Sequence, residues 1–184
     1  MSARRADAAR NQASIVRAAR KLVAARGLDV GMDDIAREAG VAVGTLYRHF
    51  PTKTDLVNAI VADHIEAIVH AMEAAMARVD AGGPALPELT GLLEWLAASV
   101  GEDHAAKAAA TNLGSETVLG LEARAMATLE RLVAAGQREG SLYPDVTAAD
   151  LALLVNTLPG DEVPEPARRR WIQLALRAVC PPRG

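Results

Sequence analysis

The chain has 184 residues, a formal net charge of −3, 51% hydrophobic residues but only 3% aromatic ones, and a single cysteine. That length suffices for a well-packed core, in one domain or in a small domain joined to a larger one. One cysteine, Cys180, excludes an internal disulfide and is read as a packing residue on an apolar helix. No apolar run approaches the roughly 20 residues of a membrane span, and the polar start MSARRADAARNQ lacks the apolar centre of a signal peptide, so no membrane partner and a cytoplasmic place are expected. The charge is unevenly spread: residues 1–53 hold ten Lys/Arg against five Asp/Glu, whereas residues 54–184 hold ten against eighteen. A basic end is suited to a polyanion and an acidic remainder is repelled by one.

Apolar spacing at three and four residues runs through the whole chain without a strand-like alternation, which predicts an all-α protein. Ile15, Ala18, Ala19, Leu22 and Val23 mark a first helix from about Ala8 to Arg26, stopped by Gly27, with Leu28 packing back on Val23. A second helix is predicted at about Met32–Ala39. Asp33 and Asp34 sit in its first turn, where carboxylates oppose the positive end of the helix dipole, and Ile35, Ala36 and Ala39 share a small, apolar face. Gly40 ends it in a left-handed turn with Val41 as the plug beneath. A third helix follows at about Ala42–Phe50, with Val43, Leu46 and Phe50 expected to face the core.

Two short helices joined by a glycine turn at this spacing form a helix-turn-helix, and its second helix presents a reading face. Gly44 lets the backbone approach a duplex, Thr45 offers a hydroxyl or methyl group, and Arg48 carries the forked donor suited to a guanine edge, with Tyr47 and His49 on the flanks. The expected partner is double-stranded DNA, and the DNA-binding domain is placed at residues 1–53. Arg4 and Arg5 suggest a minor-groove arm.

A fourth helix is predicted from Thr52, which forms a capping box with Asp55, to about Val79, long enough at 1.5 Å per residue to cover roughly 40 Å and link two domains. The stretch Ala81–Pro87 reads as a loop. Further helices are predicted at about Glu88–Val100, Asp103–Asn112, Ser115–Glu139 ended by Gly140, a segment capped by Thr147 running to Leu158, and Ala167–Val179. These make residues 54–184 a helical regulatory and dimerisation domain.

The stretches IVRAARKLVAARG and MDDIAREAGVAVGTLYRHFPTKTDLV, over about Ile15–Val61, closely resemble the N-terminal pattern of the TetR family of bacterial transcriptional regulators, and LVAAGQREGSLYPDVTAADLALLV resembles the late part of its C-terminal domain. The resemblance implies an all-helical homodimer on a palindromic operator, usually a repressor, that leaves DNA when a small molecule enters the C-terminal domain. It also implies that Tyr47, His49 and Lys53 touch phosphate and that Thr45 touches phosphate or base, while Phe50 is core. Two departures from the family pattern stand out. Gly31 replaces the usual Ser or Thr cap, at a cost of a few tenths of a kcal/mol, and Val23 replaces an aromatic residue.

The regulatory half carries no transferable motif. His64 lies on an otherwise apolar face, four residues from both Ile60 and Ile68; Trp95 is a natural pocket wall; Met72, Met76 and Met126 are adaptable apolar walls; His104, Thr111 and Asn112 offer polar contacts. Each serves equally well as packing. Together they suggest an apolar small-molecule inducer held between the fourth, fifth and seventh predicted helices. No metal is expected, because His64 and His70, six apart, fall on different helix faces. No cofactor motif, phosphate loop or nucleophile elbow occurs, so an enzyme is not expected. For dimerisation, Leu151, Leu154, Val155 and Leu158 form one stripe. The last helix has two: Trp171, Leu174, Ala175 and Ala178 on one side, Ile172, Leu176 and Val179 on the other. One helix cannot bury both stripes against one neighbour, so a two-fold copy is expected to take the first. A same-fold activator, a ligand-independent regulator and an architectural DNA-binding protein are the alternatives.

Overall fold

The computed structural model describes residues 2–110, 116–160 and 163–182, leaving out the side chains of 2–5, 99–110, 116 and 118. Its described residues form eight helices: α1 (Ser2–Arg26), α2 (Met32–Ala39), α3 (Val43–His49), α4 (Lys53–Asp80), α5 (Ala85–Ala110), α6 (Glu116–Arg138), α7 (Ala148–Asn156) and α8 (Glu165–Val179). The chain divides into two compact units, Met1–His64 with Glu102–Val118, and Ile65–Gly101 with Leu119–Gly184.

In the first unit, Ile15, Val16, Ala18, Ala19, Leu22 and Val23 of α1 are buried, together with Ile35 and Ala36 of α2, Leu46 of α3, Phe50, and Leu56, Ile60 and Val61 of α4. Gly27 takes the left-handed conformation (φ +75°) and its N–H bonds the Val23 carbonyl at 2.8 Å, closing α1. Leu28, expected to pack back, is 40% exposed instead, because the chain leaves the turn outward and the buried apolar residue of this loop is Val30. Gly40 closes α2 in the same conformation (φ 69°, ψ 28°), with its own N–H on the Arg37 carbonyl and that of Val41 on the Ala36 carbonyl. Ser14 Oγ donates to the Ala39 carbonyl at 3.0 Å, fixing the end of α2 on α1. Thr52 and Asp55 form the expected capping box: the Thr52 N–H donates to the Asp55 carboxylate at 3.0 Å, and the Asp55 N–H to Thr52 Oγ1 at 3.1 Å.

The second unit has two apolar cores. One gathers Met76 from α4, Leu89 from α5, Leu132 and Val133 from α6, Leu142 from the connection after it, Ala148 and Leu151 from α7, and Val179 from α8. The other joins Leu93 and Ala97 of α5 to Leu158 and Ile172. Two ion pairs, Arg124–Glu73 at 2.7 Å and Arg131–Asp80 at 2.8 Å, tie α6 to α4 with the same sequence offset of 51, so the two helices run parallel in a fixed register.

Where two helices are expected at Glu88–Val100 and Asp103–Asn112, α5 is continuous. A helical glycine such as Gly101 costs about 1 kcal/mol, and the alanine-rich sequence after it has the highest helix propensity of any residue type. Helix α5 also begins three residues early. Pro87 is tolerated in the first turn, where no N–H is needed, and the Ala85 N–H is met by the Glu139 carboxylate at 3.0 and 3.2 Å, a cap supplied from 54 residues away. Thr147 and Asp150 cap α7 reciprocally, as Thr147 predicts. Helix α8 starts at Glu165, ahead of the expected Ala167, with Pro166 accommodated in its first turn.

Candidate nucleic-acid interface

Helix α3 has seven residues and is held from beneath by Leu46 and Phe50, both buried. Val43, expected to join them, is 40% exposed: it opens the helix at the rim, before the turn that carries Leu46 inward. Above these anchors Gly44, Tyr47 and Arg48 are exposed and Thr45 is half-buried. A Cβ on Gly44 would meet no atom of the protein within 4 Å, so nothing inside the unit requires glycine there. The position suits a close approach from outside.

The cations of this unit fall into two groups. Arg10 pairs with Asp7, Arg20 with Asp63, Lys21 with Glu38, and Arg26 and Arg37 with Asp34. The Lys21 ammonium, by its hydrogen bond and charge, holds the Glu38 carboxyl below its ordinary pKa. Arg17 on α1, and Arg48 and Lys53 on and just after α3, are in contrast exposed and have no acidic partner among the described residues. Charge left uncompensated on and just after the reading helix is available to phosphates or to a base edge.

His49 differs from the other five residues of the expected DNA face. Half-buried like Thr45, it has its ring tilted 43° to Phe50 at a centroid distance of 6.4 Å, and its Nε2 is inaccessible and without a hydrogen-bond partner. Asn58 Oδ1, one helical segment on, is in the same condition. Asn58 escapes a reading based on motifs. The signal for it is an amide among the small and apolar residues of α4, between Leu56 and Ile60. Arg4 and Arg5, the proposed arm, have side chains outside the described residues.

The residues singled out for ligand binding are dispersed. His64 is half-buried and ends the first unit's share of α4; Met72 and Met76 are buried in the second unit, Met76 within the larger core. Trp95 and Met126 are partly exposed on α5 and α6. The His104 side chain, Thr111 and Asn112 lie outside the described residues.

On α8 the two-stripe pattern is resolved by burial. Ile172, Ala175 and Val179 point into the second unit, Trp171 and Leu176 are half-buried against its smaller core, and Leu174 and Ala178 remain exposed. Ala175 therefore sits with the inward stripe. Leu151 and Leu158 are buried, and Leu154 and Val155 pack against the two cores. The large apolar side chain that α7 offers to solvent is Leu153, 64% exposed, and that of α8 is Leu174, 49% exposed.

Among the described residues no helix is long and apolar enough to cross a membrane. Residues 15–60 match the family model of bacterial regulatory proteins of the tetR family. An HTH-type transcriptional regulator of Staphylococcus aureus strain USA300, SAUSA300_2515, is 45% identical over 53 residues, a match that takes in 28% of this chain and 29% of that protein. The crystal structure of a TetR transcription regulatory protein from Mycobacterium vanbaalenii is 35% identical, covers 96% of this chain with 99% of its own, and superposes with a TM-score of 0.75. A γ-butyrolactone receptor described as ArpA-like shares the fold at 22% identity and a TM-score of 0.63, over 92% of this chain and 97% of its own. With its helix-turn-helix and a relative matched over nearly its whole length, the chain belongs to the TetR family of bacterial regulatory proteins, DNA-binding transcriptional regulators.

Proposed function

We propose that the protein is a cytoplasmic transcriptional repressor that binds a palindromic operator as a homodimer and is released by a small apolar molecule. The observation that carries the DNA half is the uncompensated charge of Arg48 and Lys53 around a helix anchored by Leu46 and Phe50. Arg48 reads a base edge, Tyr47 and Lys53 hold phosphates, Thr45 serves either, and Gly44 lets the backbone close on the duplex. His49 contributes through the side of its ring not buried against the unit.

Exposed Leu153, Leu174 and Ala178 favour a second copy on α7 and α8, since a two-fold axis brings like apolar surfaces together. Two reading heads about one turn of DNA apart then demand a palindrome. For the ligand, the second unit offers Met72, Met76, Met126 and Trp95, apolar and adaptable side chains suited to a flexible, weakly polar molecule. The γ-butyrolactone receptor of this fold has a small molecule of that general kind in its name.

Selection of bound sequences from a random duplex library, with purified full-length protein, tests the reading. The expected result is one palindrome bound at least about 10³-fold more tightly than random DNA. Binding without sequence preference would make the protein architectural. Repeating the selection with metabolite fractions identifies the releasing molecule, and promoter activity in a strain lacking the protein gives the sign of regulation, increased expression being the result expected of a repressor.

A further inference from the structure

One cation of the first unit remains to be placed. Arg17 is exposed on α1 and, like Arg48 and Lys53, has no acidic partner among the described residues, yet it lies on another helix and far from them in sequence. At 100° per residue, Ala13, Arg17, Arg20 and Ala24 fall on the side of α1 away from Ile15, Ala19 and Leu22, which are packed into the unit. There they line a groove of about 580 Å³ with Lys21 and, from α4, Asp63. Among the described residues that line it, three cations face one carboxylate. Asp63 is bound to Arg20 at 3.1 Å and Lys21 reaches out to Glu38 at 2.6 Å, which leaves Arg17 as surplus positive charge.

We infer that this groove is a binding site for a small organic polyanion, a phosphate monoester or a di- or tricarboxylate, separate from the DNA face. The spacing defines what fits. From Ala13 to Ala24 the helix rises about 16 Å, with the cations at the centre and a methyl group at each end. A ligand of metabolite size lays its charges against the guanidinium fork of Arg17 and the neighbouring Arg20 and Lys21, where bidentate contacts are strongest, and its carbon skeleton along the alanines. Because Arg20 links α1 to α4 through Asp63, an anion there competes for the bond that ties these helices together. Occupancy is thereby coupled to the helix whose first turn carries Lys53.

Inorganic phosphate and citrate are the probes, added to full-length protein at constant ionic strength with chloride as the balancing anion, and amide shifts of α1 are followed by NMR. Saturable shifts centred on residues 13–24 are expected, for phosphate, citrate or both. Arg17→Gln should weaken binding at least tenfold, and Ala24→Leu, which fills one end of the groove at an exposed helical position, should weaken it as well. Asp63→Asn should tighten it, a change of opposite sign that damage to the fold does not imitate. Shifts that never saturate, that persist unchanged in Arg17→Gln, or that follow Lys53→Gln instead would overturn the assignment, the last by placing the anion on the DNA face.

Discussion

Helices α3 and α8 are built alike and differ in what they leave outside. Each sinks one face into its own unit, Leu46 with the following Phe50 in one case, Ile172, Ala175 and Val179 in the other. The remaining face of α3 is glycine, hydroxyls and an unneutralised arginine, whereas that of α8 carries Leu174 and Ala178. A polar, cationic remainder is stable in water and gains when it meets phosphate; an apolar remainder is costly in water and gains when it meets another apolar surface. Burial specifies the fold, and the residues excluded from burial specify the partner.

The sharpest way to break this comparison is to charge the apolar remainder. Leu153→Glu combined with Leu174→Glu alters only exposed side chains, so helix content should hold. The protein should become monomeric by light scattering, and operator affinity should fall by about 10²-fold or more as the second reading head is lost. A double variant that stays dimeric moves the interface elsewhere. On the other helix, Arg48→Ala should cost about 1–3 kcal/mol on the preferred operator and flatten base preference, while Lys53→Gln should weaken all sequences alike and reduce the salt slope by about 1. Operator variants ranked in the same order by wild type and Arg48→Ala would remove Arg48 from base reading.

A smaller effect separates fold from function at a single atom. Gly44→Ala adds a methyl group into open space within the protein, and should stabilise the fold by up to about 1 kcal/mol through helix propensity while weakening DNA binding. If thermal stability and affinity rise together, the close backbone approach is absent. The least effect is expected from acid. Arg78, through a bidentate hydrogen-bonded pair at 2.7–2.9 Å, holds the Glu88 carboxyl below its ordinary value of 4.5. A carboxyl lowered in the folded state contributes stability above its unfolded pKa and loses it as pH falls through the lowered folded value. Glu88→Gln should therefore unfold with a slightly shallower pH dependence below about pH 4.5 than wild type, since water screens the pair at its exposed arginine. Coincident acid-unfolding curves would show that the pair contributes nothing measurable.

The helix-turn-helix is legible in the sequence because its punctuation is local. Gly27, Gly40 and the Thr52–Asp55 box each act within four residues, and they place α1, α2, α3 and α4 to within about a residue at those ends. What local pattern cannot give is which of two apolar faces turns inward. On α7 the stripe of Leu151, Leu154, Val155 and Leu158 reads as a ready surface for a partner, but the unit's own cores take it and leave Leu153 outside. Val43 and Leu28 mislead for the same reason, since each is apolar at helical spacing but stands where the chain is turning outward. Nor can periodicity find the Glu139 cap on α5, which depends on two residues brought together across 54 positions. Of the expected DNA face, the placement of Arg48 follows from the helix wheel, but the inward Nε2 of His49 depends on the packing of Phe50 and is invisible to it.

The turn after α6 has a bearing on how the protein tolerates change. Within seven residues, Gly136 leaves room for Leu142, whose side chain would stand 2.9 Å from any Cβ added there; Gln137 Nε2 donates to the carbonyls of Tyr143, Pro144 and Val146; Glu139 caps α5; and Gly140 adopts φ +68°. In a saturation screen for a folded protein, this short segment should be as intolerant of substitution as the reading helix is in a screen for DNA binding. A map of tolerated changes would then show two dark bands, one marking a surface made for a partner and the other a knot in the scaffold, and only the stability readout would tell them apart.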